Sequence, residues 1–168
     1  MVRAKTFIEA INSFYDSKRK FKSYFTDNRL TALEKTILQC LTWISHSKFD
    51  EVIDALKDAT ASGDKIIDAE KELLLGMAFN NKGDSKKAIA YFTRSLTLMQ
   101  DSPLKRRQLT ASSNLFFCYF NLKFAEGMKS VLQGMLPFEG MTDVERVTIL
   151  SCPVNCATPA PSMILKIL

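Results

Sequence analysis

Hydrophobic residues recur every three or four positions along most of this chain, the spacing of one face of an α-helix. Phe7, Ile11 and Phe14 share such a face near the amino end. No segment alternates hydrophobic and polar residues over the length of a half-buried strand, so the pattern predicts an all-α fold. Capping signals, such as Thr31 with Glu34, and glycine-containing turns divide it into about eight helices. Their expected positions are 3–25, 30–46, 49–60, 64–82, 85–100, 103–122, 124–135 and 142–150.

Small and aromatic residues stand at fixed positions within one segment, LLLGMAFNNKGDSKKAIAYFTRSL. A small residue at Gly76 lets a second helix approach closely, and Gly83 turns the chain. Ala88 and Phe92 lie on the face of the second helix that would meet Gly76. These positions predict a hairpin of two helices over residues 69–98.

The hairpin resembles the tetratricopeptide repeat, a family in which helical hairpins of about 34 residues stack on one another. Weaker copies of the same pattern lie at residues 33–60 and 108–135. One repeat cannot bury its own apolar face, so neighbouring repeats are required. The resemblance therefore implies three antiparallel hairpins, at 33–60, 69–98 and 108–135, stacked as a short right-handed superhelix, or α-solenoid.

A single domain accounts for most of the chain. The sequence has 168 residues and is 46% hydrophobic, which is enough for one sizeable core. We expect this helical domain to cover residues 1–150, with residues 1–30 as a basic amino-terminal helix. Residues 151–168 are interrupted by proline and resemble nothing in a tetratricopeptide repeat. They are expected to be an irregular tail, which could be a flexible end, a linear motif or the product of an altered reading frame.

The resemblance also implies a binding surface, because the first helix of each tetratricopeptide hairpin lines a concave groove. On this sequence the groove is mainly apolar, with an amide patch at Asn80 and Asn81. An exposed apolar groove of this kind is suited to an amphipathic helix. The candidate partner-binding residues are Ile37, Leu41, Ile44, Leu73, Met77, Asn80, Asn81, Ser112, Phe116, Tyr119 and Phe120.

Two alternatives remain open for the segment that occupies this groove. The chain can supply one itself, since Phe7, Ile11, Phe14, Phe21 and Phe25 form a stripe at helical spacing, and such stripes are more often internal packing than binding faces. A protein or peptide partner can supply the other. We therefore expect a protein–protein interaction module, an adaptor or scaffold. The alternatives are a self-associating structural subunit, hence a homo-oligomer, and a nucleic-acid-associated regulatory protein that uses the basic amino end.

Positive charge is concentrated in two short clusters of this chain, whose formal net charge is +5. Such clusters can attract nucleic acid or acidic lipid, but on a short helical protein they are usually a solvated face. Because no recognised nucleic-acid module is present, we expect the solvated face. The clusters are Lys18, Arg19, Lys20 and Lys22, and Lys105, Arg106 and Arg107.

Catalytic and metal chemistry have no trace in the sequence. Neither an activated nucleophile, an acid–base pair nor a phosphate-binding loop is recognisable, so we expect neither an enzyme nor a cofactor. Cys152 and Cys156 have a clip-like spacing, but structural zinc needs about four ligands and His46 is the only histidine. Cys40 and Cys118 lie on helix faces, where a reduced thiol packs as a small hydrophobic group.

The chain also lacks the hydrophobic stretches that direct proteins to or across membranes. The amino end interrupts its apolar residues with Glu9 and Asn12, unlike a signal peptide. No stretch approaches the roughly 20 apolar residues of a membrane span. We therefore expect a soluble, cytoplasmic protein.

Overall fold

A computed structural model of the protein describes residues 2–100 and 102–135. Over these residues all regular secondary structure is helical and no strand forms, which confirms the all-α prediction for this part of the molecule. A single 3₁₀ turn, Tyr24–Thr26, follows the second helix. The α-helices are α1 (Val2–Asp16), α2 (Lys18–Ser23), α3 (Ala32–Ser45), α4 (Phe49–Leu56), α5 (Lys65–Asn81), α6 (Ser85–Leu98), α7 (Lys105–Asn121) and α8 (Ala125–Met135).

The amino end was predicted to be one helix over residues 3–25, but the structure divides it into α1 and α2. Ser17 adopts an extended backbone, with φ −157° and ψ 101°, and its hydroxyl accepts a hydrogen bond from the backbone N–H of Lys20 at 3.3 Å. This N-cap ends α1 and starts α2. The six central helices agree with their expected positions apart from their ends. The predicted helix at 142–150 and the tail at 151–168 lie outside the described residues.

Local capping explains where α3 and α5 begin. Thr31 and Glu34 form the expected capping box, in which Thr31 Oγ1 accepts from the Glu34 N–H at 3.3 Å and Glu34 Oε2 accepts from the Thr31 N–H at 2.7 Å. At α5, Asp64 Oδ1 accepts from the Ile66 N–H at 2.9 Å. Each cap satisfies amide groups that the helix itself leaves without partners.

The hairpin of α5 and α6 closes where Gly76 meets Phe92. A Cβ at Gly76 would lie 2.7 Å from Cε1 of the Phe92 ring, closer than any side chain tolerates. Ser95 Oγ ties the two helices together by donating to the Ala69 carbonyl at 2.9 Å. Between the helices, Gly83 adopts the left-handed conformation, φ +85°, that a residue without Cβ takes readily. The predicted hairpin over 69–98 is therefore present.

The remaining helices contact one another in the order of the chain. α3 packs on α4, α5 on α6 and α7 on α8, while α4 also contacts α5 and α6 contacts α7. The first helices of successive hairpins meet as well, α3 with α5 and α5 with α7. One continuous hydrophobic core runs from Phe7 in α1 to Cys118 in α7.

Candidate helix-binding face

The eleven candidate groove residues lie on the first helices α3, α5 and α7, where the sequence assigned them. We call this set the first-helix face. Most of its side chains are removed from solvent within the single chain. Buried members are Ile37, Leu41, Ile44, Leu73, Met77, Asn80, Ser112 and Phe116, and partly buried members are Asn81, Tyr119 and Phe120.

The chain's own amino-terminal helix packs into the same hydrophobic core as this face. Phe7, Ala10 and Ile11 of α1 have no exposed surface and belong to the same core cluster as Ile37 and Met77. α1 contacts α3 directly, and its last turn reaches α7 through a hydrogen bond. In the described structure, α1 therefore extends from α3 to α7 on the side of the first helices.

The contact between α1 and α7 is a buried polar network. Arg107 Nη1 on α7 donates to the hydroxyl of Tyr15 on α1 at 2.6 Å. The same guanidinium donates to the carboxylate of Glu70 on α5, from Nε to Oε1 at 2.8 Å and from Nη2 to Oε2 at 2.7 Å. Arg107 and Glu70 are 1% and 0% exposed. The network thus joins α1, α5 and α7 at one point.

Burial alone would lower the pKa of Arg107, because desolvation disfavours its charged form. The negative charge of Glu70 and the hydrogen bonds to Glu70 and Tyr15 outweigh this effect and raise that pKa above its ordinary value. Arg107 is therefore a charged residue in the core. The prediction that Arg107 belongs to a solvated basic cluster is wrong, because Arg107 is buried and paired with Glu70 inside the protein.

The amide patch expected on the first-helix face is engaged in internal hydrogen bonds. Asn80 Oδ1 accepts from Ser85 Oγ at 3.2 Å and from Cys118 Sγ at 3.2 Å, which links α5 to α6 and α7. Asn81 Nδ2 donates to the Met77 carbonyl at 2.8 Å, one turn earlier in the same helix. Asn80 therefore serves the packing of the helices in this structure.

The third hairpin leaves apolar side chains at its turn. Leu122 and Phe124 are 41% and 52% exposed, and the Phe124 ring lies 5.5 Å from that of Tyr119. Gly127 is buried beneath these rings, and a Cβ there would lie 2.5 Å from Phe124 Cδ1. A small residue is therefore required at this position of α8, as Ala88 supplies at the corresponding position of α6.

Reactive chemistry is sparse in the part of the chain that the structure describes. Residues 2–100 and 102–135 contain no cluster of three or more potential metal ligands. Cys40 and Cys118 are buried free thiols, as expected. Burial raises the pKa of Cys40 to about 12, which keeps it protonated and unreactive near neutral pH. None of the helices in these ranges has both the length and the apolar character needed to cross a bilayer.

Comparison with known proteins does not extend this picture, since no protein-family model, curated protein or solved structure matches the chain. Any function must therefore be inferred from the chain's own residues.

The buried pair of Glu70 and Arg107 was not predicted from the sequence. Glu70 occupies a position of α5 flanked at helical spacing by Ile67 and Leu74. A carboxylate inside an apolar stripe requires a buried partner, and this was the signal that could have revealed the pair.

Proposed function

We propose that the chain is a protein-interaction module of the tetratricopeptide type. In this proposal the hairpins α3–α4, α5–α6 and α7–α8 stack as a short right-handed superhelix, and the first-helix face binds an amphipathic helix. The close approach at Gly76 supports the repeat assignment, as do the contacts between successive first helices. Repeats that bury their apolar faces against neighbours require this order of contacts.

One observation carries the binding proposal: α1 is itself an amphipathic helix packed on the first-helix side. It buries Phe7, Ala10 and Ile11 while leaving Glu9 and Asn12 exposed. Helix-in-groove recognition uses apolar anchors at this spacing. The face therefore offers apolar surface, and Arg107 of α7 adds a donor for a polar group at the end of the helix.

A partner helix would have to resemble α1 and compete with it. Its anchors would be two bulky apolar residues four positions apart, as Phe7 and Ile11 are, followed four positions later by a hydrogen-bond acceptor at the place of Tyr15. Competition is unequal because α1 is tethered to the face, which gives it an effective concentration on the order of millimolar. We infer that binding to the intact chain is weak unless α1 is released.

The test uses the full chain carrying Phe7→Ser and Ile11→Ser, which we call the α1-released variant. A fluorescent peptide with the sequence of residues 1–17 is titrated with this variant and with the parent chain, and its anisotropy is measured. The peptide should bind the α1-released variant at least about tenfold more tightly, because the tethered competitor is gone. A control peptide with both serines should bind neither protein.

Circular dichroism must show that the α1-released variant keeps its helical content. If the double substitution unfolds the chain, Phe7→Ala alone weakens α1 with a smaller loss of buried surface. A helical variant that fails to bind the peptide would overturn the proposal, since the face would then be core that requires α1 as part of the same fold. Equal binding of the control peptide would do the same.

A further inference from the structure

Arg106, from the second basic cluster of the sequence, lies beside the end of α1 in the fold. The Arg106 guanidinium at the start of α7 lies over the ring of Tyr15, 4.3 Å from its centre, and 4.0 Å from Asp16 Oδ1. Asp16 is the last residue of α1, and Lys18 begins α2 two positions later. Arg106 therefore lies close to the junction of α1 and α2, where the first basic cluster begins, although the two are more than 80 residues apart in the chain.

We call the combined set the basic surface. All six of its cationic side chains are exposed, and among the described residues only Arg106 forms an ion pair, with Asp16. The other five form no ion pair with any described residue. On α4 and α6, by contrast, Lys57 pairs with Asp54 and Lys87 with Asp84. The members of the basic surface are Lys18, Arg19, Lys20, Lys22, Lys105 and Arg106.

Six exposed cations, only one of them in an ion pair with a described carboxylate, create a positive potential that attracts anions. We propose that the basic surface binds nucleic acid through its phosphates. A strand of nucleic acid carries one negative charge per nucleotide, so it can engage the cations of α2 and of α7 at the same time. The proposal concerns a surface separate from the first-helix face and does not depend on the function proposed for that face.

A bilayer fits the basic surface less well than nucleic acid does. Phe21 in α2 and Tyr24 in the 3₁₀ turn that follows it are each only 5% exposed. They pack inward, with the Phe21 ring 5.0 Å from that of Phe14 and 5.5 Å from that of Phe25. α2 therefore presents positive charge without apolar side chains to insert among lipids. Stable membrane anchoring requires a second contribution, such as an inserted apolar group, in addition to a basic patch.

Phosphate contacts position a nucleic acid without reading its sequence. We therefore expect little dependence on base sequence and a strong dependence on salt. With six cations each neutralising one phosphate, the logarithm of the affinity should fall with the logarithm of salt concentration with a slope of about −4 on a single strand or about −5 on a duplex.

The experiment measures the anisotropy of fluorescent oligonucleotides, single-stranded and duplex, titrated with the full chain at several salt concentrations. The surface variant replaces the four cations of α2 by glutamine, and a matched control replaces four exposed lysines elsewhere. Both variants lose four positive charges. The surface variant carries Lys18→Gln, Arg19→Gln, Lys20→Gln and Lys22→Gln, and the control carries Lys65→Gln, Lys86→Gln, Lys123→Gln and Lys129→Gln.

The surface variant should bind at least about tenfold more weakly, with a slope shallower by about one for each cation that no longer neutralises a phosphate. The control should stay within about threefold of the parent. A second variant, Lys105→Gln with Arg106→Gln, should also weaken binding and flatten the slope by about two, since the proposal assigns both clusters to one binding surface. These exposed substitutions leave stability nearly unchanged, which thermal melting checks.

Equal losses of affinity in the surface variant and the control would overturn the proposal, because binding would then follow net charge and not this surface. No measurable binding of either oligonucleotide at low salt would overturn it as well. Vesicles containing phosphatidylserine form the last arm. If they bind the parent chain but not the surface variant, while the oligonucleotides do not bind at all, the surface recognises a membrane and the proposal is wrong.

Discussion

Arg107 and Glu70 form a bidentate ion pair in the core, with Arg107 Nη2 donating to Glu70 Oε2 at 2.7 Å and Arg107 Nε to Glu70 Oε1 at 2.8 Å. The pair joins the first helices of the second and third hairpins, α5 and α7. Neither side chain has water to solvate it, since both are almost completely buried. The stability of each charge therefore depends on the other.

Removing one member of this pair should be far more harmful than removing both. Arg107→Met leaves the Glu70 carboxylate without its partner and should lower the free energy of unfolding by about 3–5 kcal/mol. Arg107→Met combined with Glu70→Leu should recover much of that loss, because an apolar pair needs no solvation. Urea unfolding measures the free energy of unfolding of the single and the double variant. The exposed pair of Arg94 and Glu72 is the control, and Arg94→Gln should cost about 1 kcal/mol or less.

Tyr15→Phe should loosen α1 without disturbing the hairpins. The substitution removes the hydroxyl that accepts from Arg107 Nη1 and leaves a buried N–H without that acceptor, at a cost of about 1–3 kcal/mol. Hydrogen exchange should therefore accelerate at the backbone amides of α1 and remain slow in α5 and α6. Tyr91→Phe is the matched control, because Tyr91 stacks on Phe79 through its ring and should keep that contact. Unchanged exchange in α1 would show that the hydroxyl does not hold the helix.

Gly76→Ala should destabilise the protein although alanine is the better helix former. The new Cβ would lie 2.7 Å from the Phe92 ring, so ring or helix must move, at a cost of about 1–3 kcal/mol. Gly134→Ala in α8 is the control, since the Cβ it introduces would enter open space beside its own helix. That control should be neutral or stabilising by up to about 1 kcal/mol.

A smaller residue at 92 tests the cause of this loss. Phe92→Leu is itself destabilising, but it removes the ring atoms that Gly76→Ala would strike. In the Phe92→Leu background, Gly76→Ala should therefore cost clearly less than in the parent, and a double-mutant cycle measures the difference. If Gly76→Ala lowers the free energy of unfolding equally in both backgrounds, its effect does not come from the contact between residue 76 and the Phe92 ring.

Alkaline pH should destabilise the fold through Cys40. Its pKa is raised to about 12 in the folded protein by burial, above the ordinary thiol value of 9.0. The contribution of the protonated Cys40 thiol to the stability of the folded state is therefore complete below pH 9.0. It is lost as pH rises towards 12, because the thiol loses its proton at lower pH in the unfolded chain than in the folded protein. Relative to Cys40→Ala, the parent should lose up to about 1.4 kcal/mol per pH unit in this window. Parallel curves for the two proteins would contradict the assigned burial.

Features that depend on neighbouring residues in the chain were accessible from the sequence. Gly76, Gly83 and the capping box at Thr31 each act within a few residues or one hairpin, and the structure contains all three. The break at Ser17 was missed because a serine within an apolar and basic run is only a weak local signal for a cap. Its effect depends on Phe21 being drawn into the core, which is a tertiary contact.

Contacts between distant residues were not accessible in the same way. Arg107 and Glu70 are 37 positions apart, and Arg107 and Tyr15 are 92 apart, so no local pattern joins them. The sequence identified the first-helix face from the repeat pattern but could not decide what covers it. That outcome depends on how α1 packs on α3 and on the hydrogen bond between Tyr15 of α1 and Arg107 of α7. The same reason explains why Arg107 was grouped with the solvated cations.

The binding of an α1-like helix to the first-helix face is tested most directly at Met77, within the α1-released variant. The affinity of the fluorescent peptide of residues 1–17 is measured for chains carrying Met77→Glu or the near-isosteric Met77→Leu. A buried unpaired charge costs several kcal/mol, so Met77→Glu should weaken binding at least about a hundredfold, and Met77→Leu should leave it within about threefold. A helical Met77→Glu chain that binds the peptide as tightly as its Met77→Leu counterpart would place the binding site elsewhere and contradict the proposed function.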